Sequence, residues 1–310
     1  MEVVTQPHII PAASIAATIG MFDGVHRGHT MLIDTLNDIA RAKGQKSAVI
    51  TFRTHPQKVL RPDTDLQMIM PLDDRLQAIA DAGADYVVLM DFDHQLAQLD
   101  SRSYIRLIRD NYGVSTLVTG FNHRFGHNRQ EGFDDYRRHG IELGVELFQA
   151  DEYRGPHSPV SSSIIRRLIT AGKVDDAAKC LGHPFTLKGV VQHGFEVGRE
   201  IGFPTANVGN IDSTVIIPHR GAYTVRVRVG SNPTPLGGMA NIGIRPTIGN
   251  GNRCQSIEVH IFDFNGDIYG QPITVEFVRF LRTELKMGSL DELKAQLHDD
   301  RTRSLQILNQ

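Results

Sequence analysis

The chain reads as an α/β protein in two parts: an N-terminal doubly wound parallel sheet and a C-terminal small antiparallel β-barrel with a terminal helix. Two textures predict this. Up to about residue 150, apolar strand-like runs alternate with helical stretches, the pattern of a parallel sheet covered on both faces. After about residue 183, short runs rich in Val, Ile, Thr and Gly follow one another between turn clusters such as Ser231-Asn232-Pro233 and Gly249-Asn250-Gly251-Asn252. That density of short strands predicts a small antiparallel barrel or sandwich. A length of 310 residues suits two domains. The boundary falls at Gly182-His183-Pro184, giving domains 1–182 and 183–310.

In the first part the strand-like runs are 15–20, Ala48-Val49-Ile50-Thr51-Phe52, Tyr86-Val87-Val88-Leu89-Met90, Thr116-Leu117-Val118-Thr119-Gly120 and Val145-Glu146-Leu147-Phe148. Helical stretches lie near 29–43, 72–82, 101–112 and 132–143, and a further helix over 174–181 leads to the boundary. In the second part the strand-like pieces are 186–192, 222–229, 236–243, 256–264 and 272–280. Leu290, Leu293 and Leu297 then repeat at helical spacing, with Ser289 placed as an N-cap. There are no internal repeats and no low-complexity segments.

Composition narrows the function classes. Hydrophobic content of 40% and charged content of 22% are ordinary for a globular chain with sizeable cores. A formal net charge of −2 argues against a strongly electrostatic nucleic-acid binder. No apolar run approaches the roughly 18 residues of a membrane span. The first residues show no basic segment leading an apolar one, so no signal peptide is expected. Two isolated cysteines, Cys180 and Cys254, give no disulfide framework and suit a reducing cytoplasm.

The most informative stretch is Gly20-Met21-Phe22-Asp23-Gly24-Val25-His26-Arg27-Gly28-His29. It lies between an apolar strand and a helix whose apolar positions are Met31, Leu32, Leu36, Ile39 and Ala40. A strand, a Gly-rich turn and a helix start together offer phosphate free backbone N–H groups and a helix dipole. The histidines at 26 and 29 sit at the mouth of that helix, where imidazoles can hydrogen-bond phosphate oxygens as charge builds during nucleotidyl transfer. Two alternatives stand beside this: a pair of zinc ligands, for which further ligands are hard to find, and a helix cap.

Three further elements fall at the same predicted sheet edge. Thr51-Phe52-Arg53-Thr54-His55-Pro56 follows the second strand. Gly120-Phe121-Asn122-His123-Arg124-Phe125-Gly126 follows the fourth and mixes cations, an amide and aromatics. Ser161-Ser162-Ser163 opens a helix, with Arg166 one turn inside; hydroxyls there can cap the helix and bind phosphate.

In the second part, Gly189, Gly194 and Gly198 space a loop leading to Phe203-Pro204-Thr205-Ala206-Asn207. It carries neither a Walker ending nor a dinucleotide fingerprint. Thr205 and Asn207 offer neutral oxygens suited to a Mg²⁺ that keeps phosphates and water as its other ligands. In Ile257-Glu258-Val259-His260-Ile261, alternation puts Glu258 and His260 on one strand face. A carboxylate there can deprotonate a hydroxyl nucleophile, while a solvated strand face is the plain alternative.

His26-Arg27-Gly28-His29 in its setting resembles the signature of the nucleotidyltransferase superfamily, which includes class I aminoacyl-tRNA synthetases. With the loop at 120–126 and the hydroxyl run at 161–163, the first part resembles the adenylyltransferase module of the bifunctional bacterial riboflavin kinase/FAD synthetases. The second part, with Pro204-Thr205-Ala206-Asn207, Glu258-Val259-His260, Asp263-Phe264, Tyr269-Gly270 and Phe280-Leu281-Arg282, resembles their riboflavin kinase module. Two departures are mild: Asn122-His123 stands where many members carry Asp-Phe, and Ser163 where Thr is usual.

The resemblance implies ATP-dependent phosphorylation of riboflavin to FMN, then adenylylation of FMN to FAD with release of pyrophosphate. Catalytic residues would be Glu258, His26, His29 and Arg166. Nucleotide contacts would come from Gly20, Phe22, Asp23, Gly24, Gly28, Ser161, Ser162, Ser163, Gly189, Gly194 and Gly198. Flavins would meet Asn122, Arg124, Phe125, Asn241 and Arg245, and Mg²⁺ with ATP would meet Thr205 and Asn207. The partners expected are ATP, riboflavin, FMN and FAD, with neither nucleic acid nor membrane. Two rivals remain from the sequence: an aminoacyl-tRNA synthetase, given Lys286-Met287-Gly288-Ser289, and a flavin-binding regulator without catalysis.

Overall fold

The computed structural model describes residues 1–7, 9–10, 14–127, 130–194, 198, 201–246, 253–285 and 287–309; at 245, 246, 253 and 254 it describes the backbone only. The chain divides into two compact units, Met1–Ser161 and Ser162–Gln310.

The first unit contains β1 (Glu2–Val4), β2 (Ile15–Ile19), α1 (Arg27–Ala42), β3 (Lys46–Phe52), α2 (Pro56–Leu60), α3 (Leu72–Asp81), β4 (Tyr86–Met90), α4 (His94–Ala97), α5 (Ser101–Tyr112), β5 (Val114–Thr119), α6 (Phe133–Leu143) and β6 (Glu146–Gln149). Its six strands form a sheet in the order β1-β4-β3-β2-β5-β6, and every pairing is parallel. Every residue of β2 is buried, as a central strand covered on both faces requires. Alternation splits it between two cores: Ile15, Ala17 and Ile19 pack with α5 residues such as Ile105 and Ile108. Ala16 instead joins Phe22, Val25 and the α1 residues Leu32, Ile33 and Leu36. From β2 the chain builds outward through β3 and β4, then crosses to β5 on the other side. The turn after β2 therefore lies at the topological switch point, where open α/β sheets bind ligands.

The strands and longer helices expected here are present. The alternation did not reveal β1, α2 and α4, which span three to five residues each; elements that short carry too few periods to show.

The second unit contains α7 (Ser162–Thr170), α8 (Val174–Leu181), β7 (Phe185–Gln192), β8 (Ala206–Gly209), β9 (Gly221–Val229), β10 (Leu236–Pro246), β11 (Arg253–Ile261), β12 (Pro272–Arg282) and α9 (Leu290–Leu308). Its six strands form a closed barrel, β10-β11-β8-β7-β12-β9, with every ladder antiparallel. Ile257, Val259 and Ile261 of β11 are buried, as are Val225, Val227, Val275 and Phe277 of β9 and β12. The four-residue β8 completes the ring inside a stretch that the sequence presents as a loop motif. α8 buries Val174, Ala177, Cys180 and Leu181 and packs on β12 and β7.

Ser289 caps α9, its hydroxyl accepting from the Glu292 N–H at 3.2 Å. The leucine repeat marks this helix but not its most buried positions. Leu290 is 59% exposed, while the fully buried residues of α9 are Asp300 and Ser304. Ser304 accepts a hydrogen bond from the Thr224 hydroxyl at 3.0 Å, so α9 is docked by polar as well as apolar contacts.

Candidate active sites

The turn after β2 runs through the left-handed region: φ is 53° at Phe22, 82° at Gly24 and 35° at Val25. For a β-branched residue such as Val25 this conformation costs on the order of 1–3 kcal/mol, so the surrounding packing must impose it. Phe22 is wholly buried in the core. The Asp23 carboxylate is buried and accepts from the Ile69 N–H with both oxygens, at 3.0 and 3.1 Å. What these two positions offer a nucleotide is therefore backbone. Gly20 faces the Phe22 ring and Gly28 the His26 ring; a Cβ would meet them at 3.0 and 3.4 Å.

His26 is the N-cap of α1, its Nδ1 accepting from the His29 N–H at 3.3 Å. That bond places the His26 proton on Nε2. The two imidazoles stack, with centroids 3.7 Å apart and planes inclined by 12°. Burial pushes His26 down to about 4. His29 is held well below its ordinary value, by burial first and then by His26 and His123. Both rings are thus neutral at neutral pH. His29 Nδ1 is buried with no hydrogen-bond partner among the described residues, a polar atom that a ligand can satisfy. Among the described residues no group of three His, Cys, Asp or Glu could hold a metal.

Of the loop after β5, Asn122 and Arg124 are exposed, and Arg124 Nη1 donates to the Gln130 carbonyl at 3.4 Å. Phe125 is 8% exposed; its ring stacks on Tyr136 at 4.1 Å, and its N–H donates to the Tyr136 hydroxyl at 3.2 Å. Ser161 ends the first unit. Ser162 and Ser163 open α7 and Arg166 lies one turn inside it, so these three belong to the second unit.

In the second unit, strand register assembles a polar rung. Asn207 on β8 lies opposite Glu258 on β11, and Glu258 lies opposite Asn241 on β10. The row continues through Ala222 on β9 to Arg282 on β12. Glu258, Asn241, Ala222 and Arg282 line a cavity of about 250 Å³, together with Thr205, His260 and, from α9, Leu293, Leu297 and Asp300. His260 is 9% exposed, and its Nδ1 lies 2.8 Å from the Pro204 carbonyl, to which it donates. Glu258 thus lines a cavity rather than a plain solvated strand face. The side chain of Arg245 lies outside the described residues, as do residues 195–197 and 199–200 of the glycine-spaced loop.

Gly189, expected in that loop, lies within β7 instead, and all three glycines are fixed by close approach. A Cβ on Gly194 would overlap the Asn207 amide, one on Gly198 the Phe203 carbonyl, and one on Gly189 the Gly209 carbonyl. Asn207 Oδ1 is buried with no hydrogen-bond partner among the described residues. An orphaned amide oxygen and, two residues earlier, a threonine hydroxyl are the donor chemistry that a hard cation takes from protein when phosphates supply the rest. The residues present therefore fit Mg²⁺.

Two features went unforeseen. Arg75, only 1% exposed, lies beneath the first turn. It falls four residues before Ile79, so it shares the buried stripe of α3. Arg282 grips Asp300 through Nε at 3.1 Å to both oxygens and Nη2 at 2.6 Å, tying α9 to the cavity wall. Eighteen residues separate that pair, and no local pattern announces it.

Comparison with known proteins covers both units. The family model for FAD synthetase matches residues 10–164, and that for riboflavin kinase matches 181–308. The chain is 36% identical to the bifunctional riboflavin kinase/FMN adenylyltransferase of Escherichia coli K12, over 94% of this chain and 91% of that one. It is 35% identical to the protein of the same description from Bacillus subtilis, over 99% and 97%. A crystal structure described as a macrolide-efflux protein from Streptococcus pneumoniae shares the fold, with TM-score 0.88, 28% identity and 97% of each chain covered. Among the described residues of the present chain, no helix is long and apolar enough to cross a membrane. With both modules matched in order along nearly its whole length, the chain belongs to the bifunctional riboflavin kinase/FMN adenylyltransferase family.

Proposed function

We propose that the two reactions of this family are carried by the two residue sets described above. In the second unit, the γ-phosphate of ATP passes to the 5′-hydroxyl of riboflavin, giving FMN. Glu258 takes the hydroxyl proton as general base. Thr205 and Asn207 would hold Mg²⁺ with its nucleotide, and the glycines at 189, 194 and 198 bring backbone close to the phosphates. Mg²⁺ would supply charge neutralisation on the β- and γ-oxygens. Asn241, beside Glu258 on the rung, and Arg245 orient the flavin. The observation that carries this reading is the rung itself, which brings three residues distant in sequence into one row.

In the first unit, an FMN phosphate oxygen attacks the α-phosphorus of ATP, giving FAD and releasing pyrophosphate. The acceptor is already an anion, so neither a covalent intermediate nor a strong base is needed; positioning and electrostatics suffice. The backbone from Gly20 to Gly28 cradles phosphate. His26 and His29 offer directed N–H groups rather than full positive charge, because burial keeps them neutral until phosphate arrives. Ser161, at the end of this unit, serves as a hydroxyl donor. Asn122, Arg124 and Phe125 are assigned to the flavin side, Phe125 by framing the loop. We place the enzyme in the cytoplasm, where its nucleotide substrate is made, and without a nucleic-acid partner given its net charge of −2.

Incubating the protein with riboflavin, ATP and Mg²⁺, and separating products over time, tests the scheme. FMN should appear first and FAD after it, with pyrophosphate released only in the second phase. Absence of FMN would remove the kinase assignment, and FMN without FAD would remove the adenylyltransferase assignment.

A further inference from the structure

Arg75 heads the largest fully buried side chains of the protein, and a buried cation is rare unless it is paired. Its guanidinium donates from Nη1 to the Met21 carbonyl at 3.2 Å and from Nη2 to the Phe52 carbonyl at 2.6 Å. Met21 directly precedes the left-handed run, and Phe52 ends β3, the neighbour of β2. The Thr51 hydroxyl donates to the same Met21 carbonyl at 3.1 Å. Asp23, anchored on the Ile69 N–H, balances the buried charge. Burial lowers Arg75 to about 10, which leaves it cationic at neutral pH. An apolar side chain would fill this space without desolvating a charge. What it could not do is clamp two carbonyls from two strand ends with one rigid fork.

We propose that Arg75 is a positioning residue for adenylyl transfer: its fork pins the Met21 carbonyl to the end of β3 and so holds the left-handed turn that aims His26 and the start of α1 at the nucleotide. The assignment rests on the proposed adenylylation site at Gly20–His29. Without the fork, the turn relaxes toward ordinary backbone angles and the His26–His29 stack loses its placement. A displacement of about 1 Å at a reacting site is commonly worth a hundred-fold in rate.

The test uses the full chain, with riboflavin phosphorylation as the internal control. Arg75→Ala should lower kcat/KM for ATP in FMN adenylylation by about 100-fold while leaving phosphorylation unchanged. Millimolar guanidinium should restore part of that loss, and sodium chloride at equal ionic strength should not. Arg75→Lys keeps the charge but not the fork, so KM for ATP should rise with a smaller loss in kcat. A folded Arg75→Ala with unchanged adenylylation overturns the proposal, as does a loss that guanidinium leaves untouched. If Arg75→Ala fails to fold, Arg75→Lys decides, and an unchanged KM for ATP overturns the proposal. His29→Ala is assayed alongside. If it too leaves adenylylation intact, the site assignment falls and this role falls with it; if it abolishes adenylylation, the Arg75 result stands on its own.

Discussion

The two units hold the same kinds of ligand, a nucleotide and a flavin, with opposite materials. In the first, the proposed site is made of backbone: a turn with φ of 53°, 82° and 35° at Phe22, Gly24 and Val25, capped by two stacked neutral imidazoles. In the second, the backbone is ordinary extended strand, and the proposed site is a row of side chains, Asn207, Glu258 and Asn241, aligned by pairing across β8, β11 and β10. The first therefore depends on what is buried around it. The second depends on single functional groups whose places the barrel guarantees. Damage should reach them by different routes.

The largest effect is expected at Glu258. Glu258→Gln keeps the size of the side chain and removes its basicity, so riboflavin phosphorylation should fall by about a hundred to ten thousand-fold. FAD formation from supplied FMN should stay near wild type. A Glu258→Gln protein with normal kinase rates would return this residue to an ordinary strand face. In the first unit, His29→Ala should slow adenylylation by on the order of a hundred-fold, and FMN should accumulate in a time course from riboflavin. Equal loss of both activities would instead mark His29 as structural.

Gly194→Ala sharpens the contrast, because it attacks the side-chain site through backbone. Its Cβ must displace the Asn207 amide, so KM for ATP in the kinase reaction should rise roughly ten-fold, short of the hundred-fold of a full misplacement. Initial rates over an ATP series would show it.

Truncation probes how each site is supported. We propose that the kinase activity resides in residues 183–310, so a fragment of that span should phosphorylate riboflavin and make no FAD. A fragment 162–310 should do the same with a higher Tm, because it keeps the α8 face of Val174, Ala177 and Leu181 on the barrel. Val174 and Leu181 each contribute about 1.5–3 kcal/mol when fully buried. Thermal scans of the two fragments compare them directly.

The smallest and most graded effect is with pH. His26 is lowered to about 4 in the fold against 6.5 unfolded. The unfolded chain therefore binds its proton first as pH falls, and the folded state loses stability from about 6.5 down to about 4, with the full contribution present above that window. Denaturant titrations of the full chain should show the first unit weakening across this range, and less so in His26→Asn.

Much of this was legible in the sequence. The alternation of apolar runs and helices announced the parallel sheet, since each strand buried on both faces must be apolar throughout. The glycine-rich turn between Ile19 and Arg27 marked the ligand-binding edge of the sheet, while its place at the switch point shows only in the strand order. The second unit was legible as a small antiparallel barrel but not strand by strand: β8 is four residues long and escaped the pattern, and which strands are neighbours is a property of pairing between distant segments. Glu258 and Asn207 could be named separately, yet only pairing made them neighbours. Arg75 stayed hidden because Asp73-Asp74-Arg75 has the look of a solvated first turn; its spacing from Ile79 was the available clue. The Phe22 side chain proved to be core, which leaves only its backbone to a nucleotide, because a strained turn points its side chains where local pattern cannot foresee.

The polar rung also constrains how this unit can change length over evolution. Successive residues of β11 point to opposite faces, so losing one residue between Arg253 and Ile257 would bring Ile257 or Val259 to the cavity and send Glu258 inward. A closed ring has no free edge at which such a slip could be absorbed. Substitutions within the strands can accumulate one at a time, whereas insertions and deletions are confined to the connections, such as 230–235 and 262–271. Family members should differ in the length of those connections while the spacing from Asn207 to the end of β8, and along β11 through Glu258, stays constant.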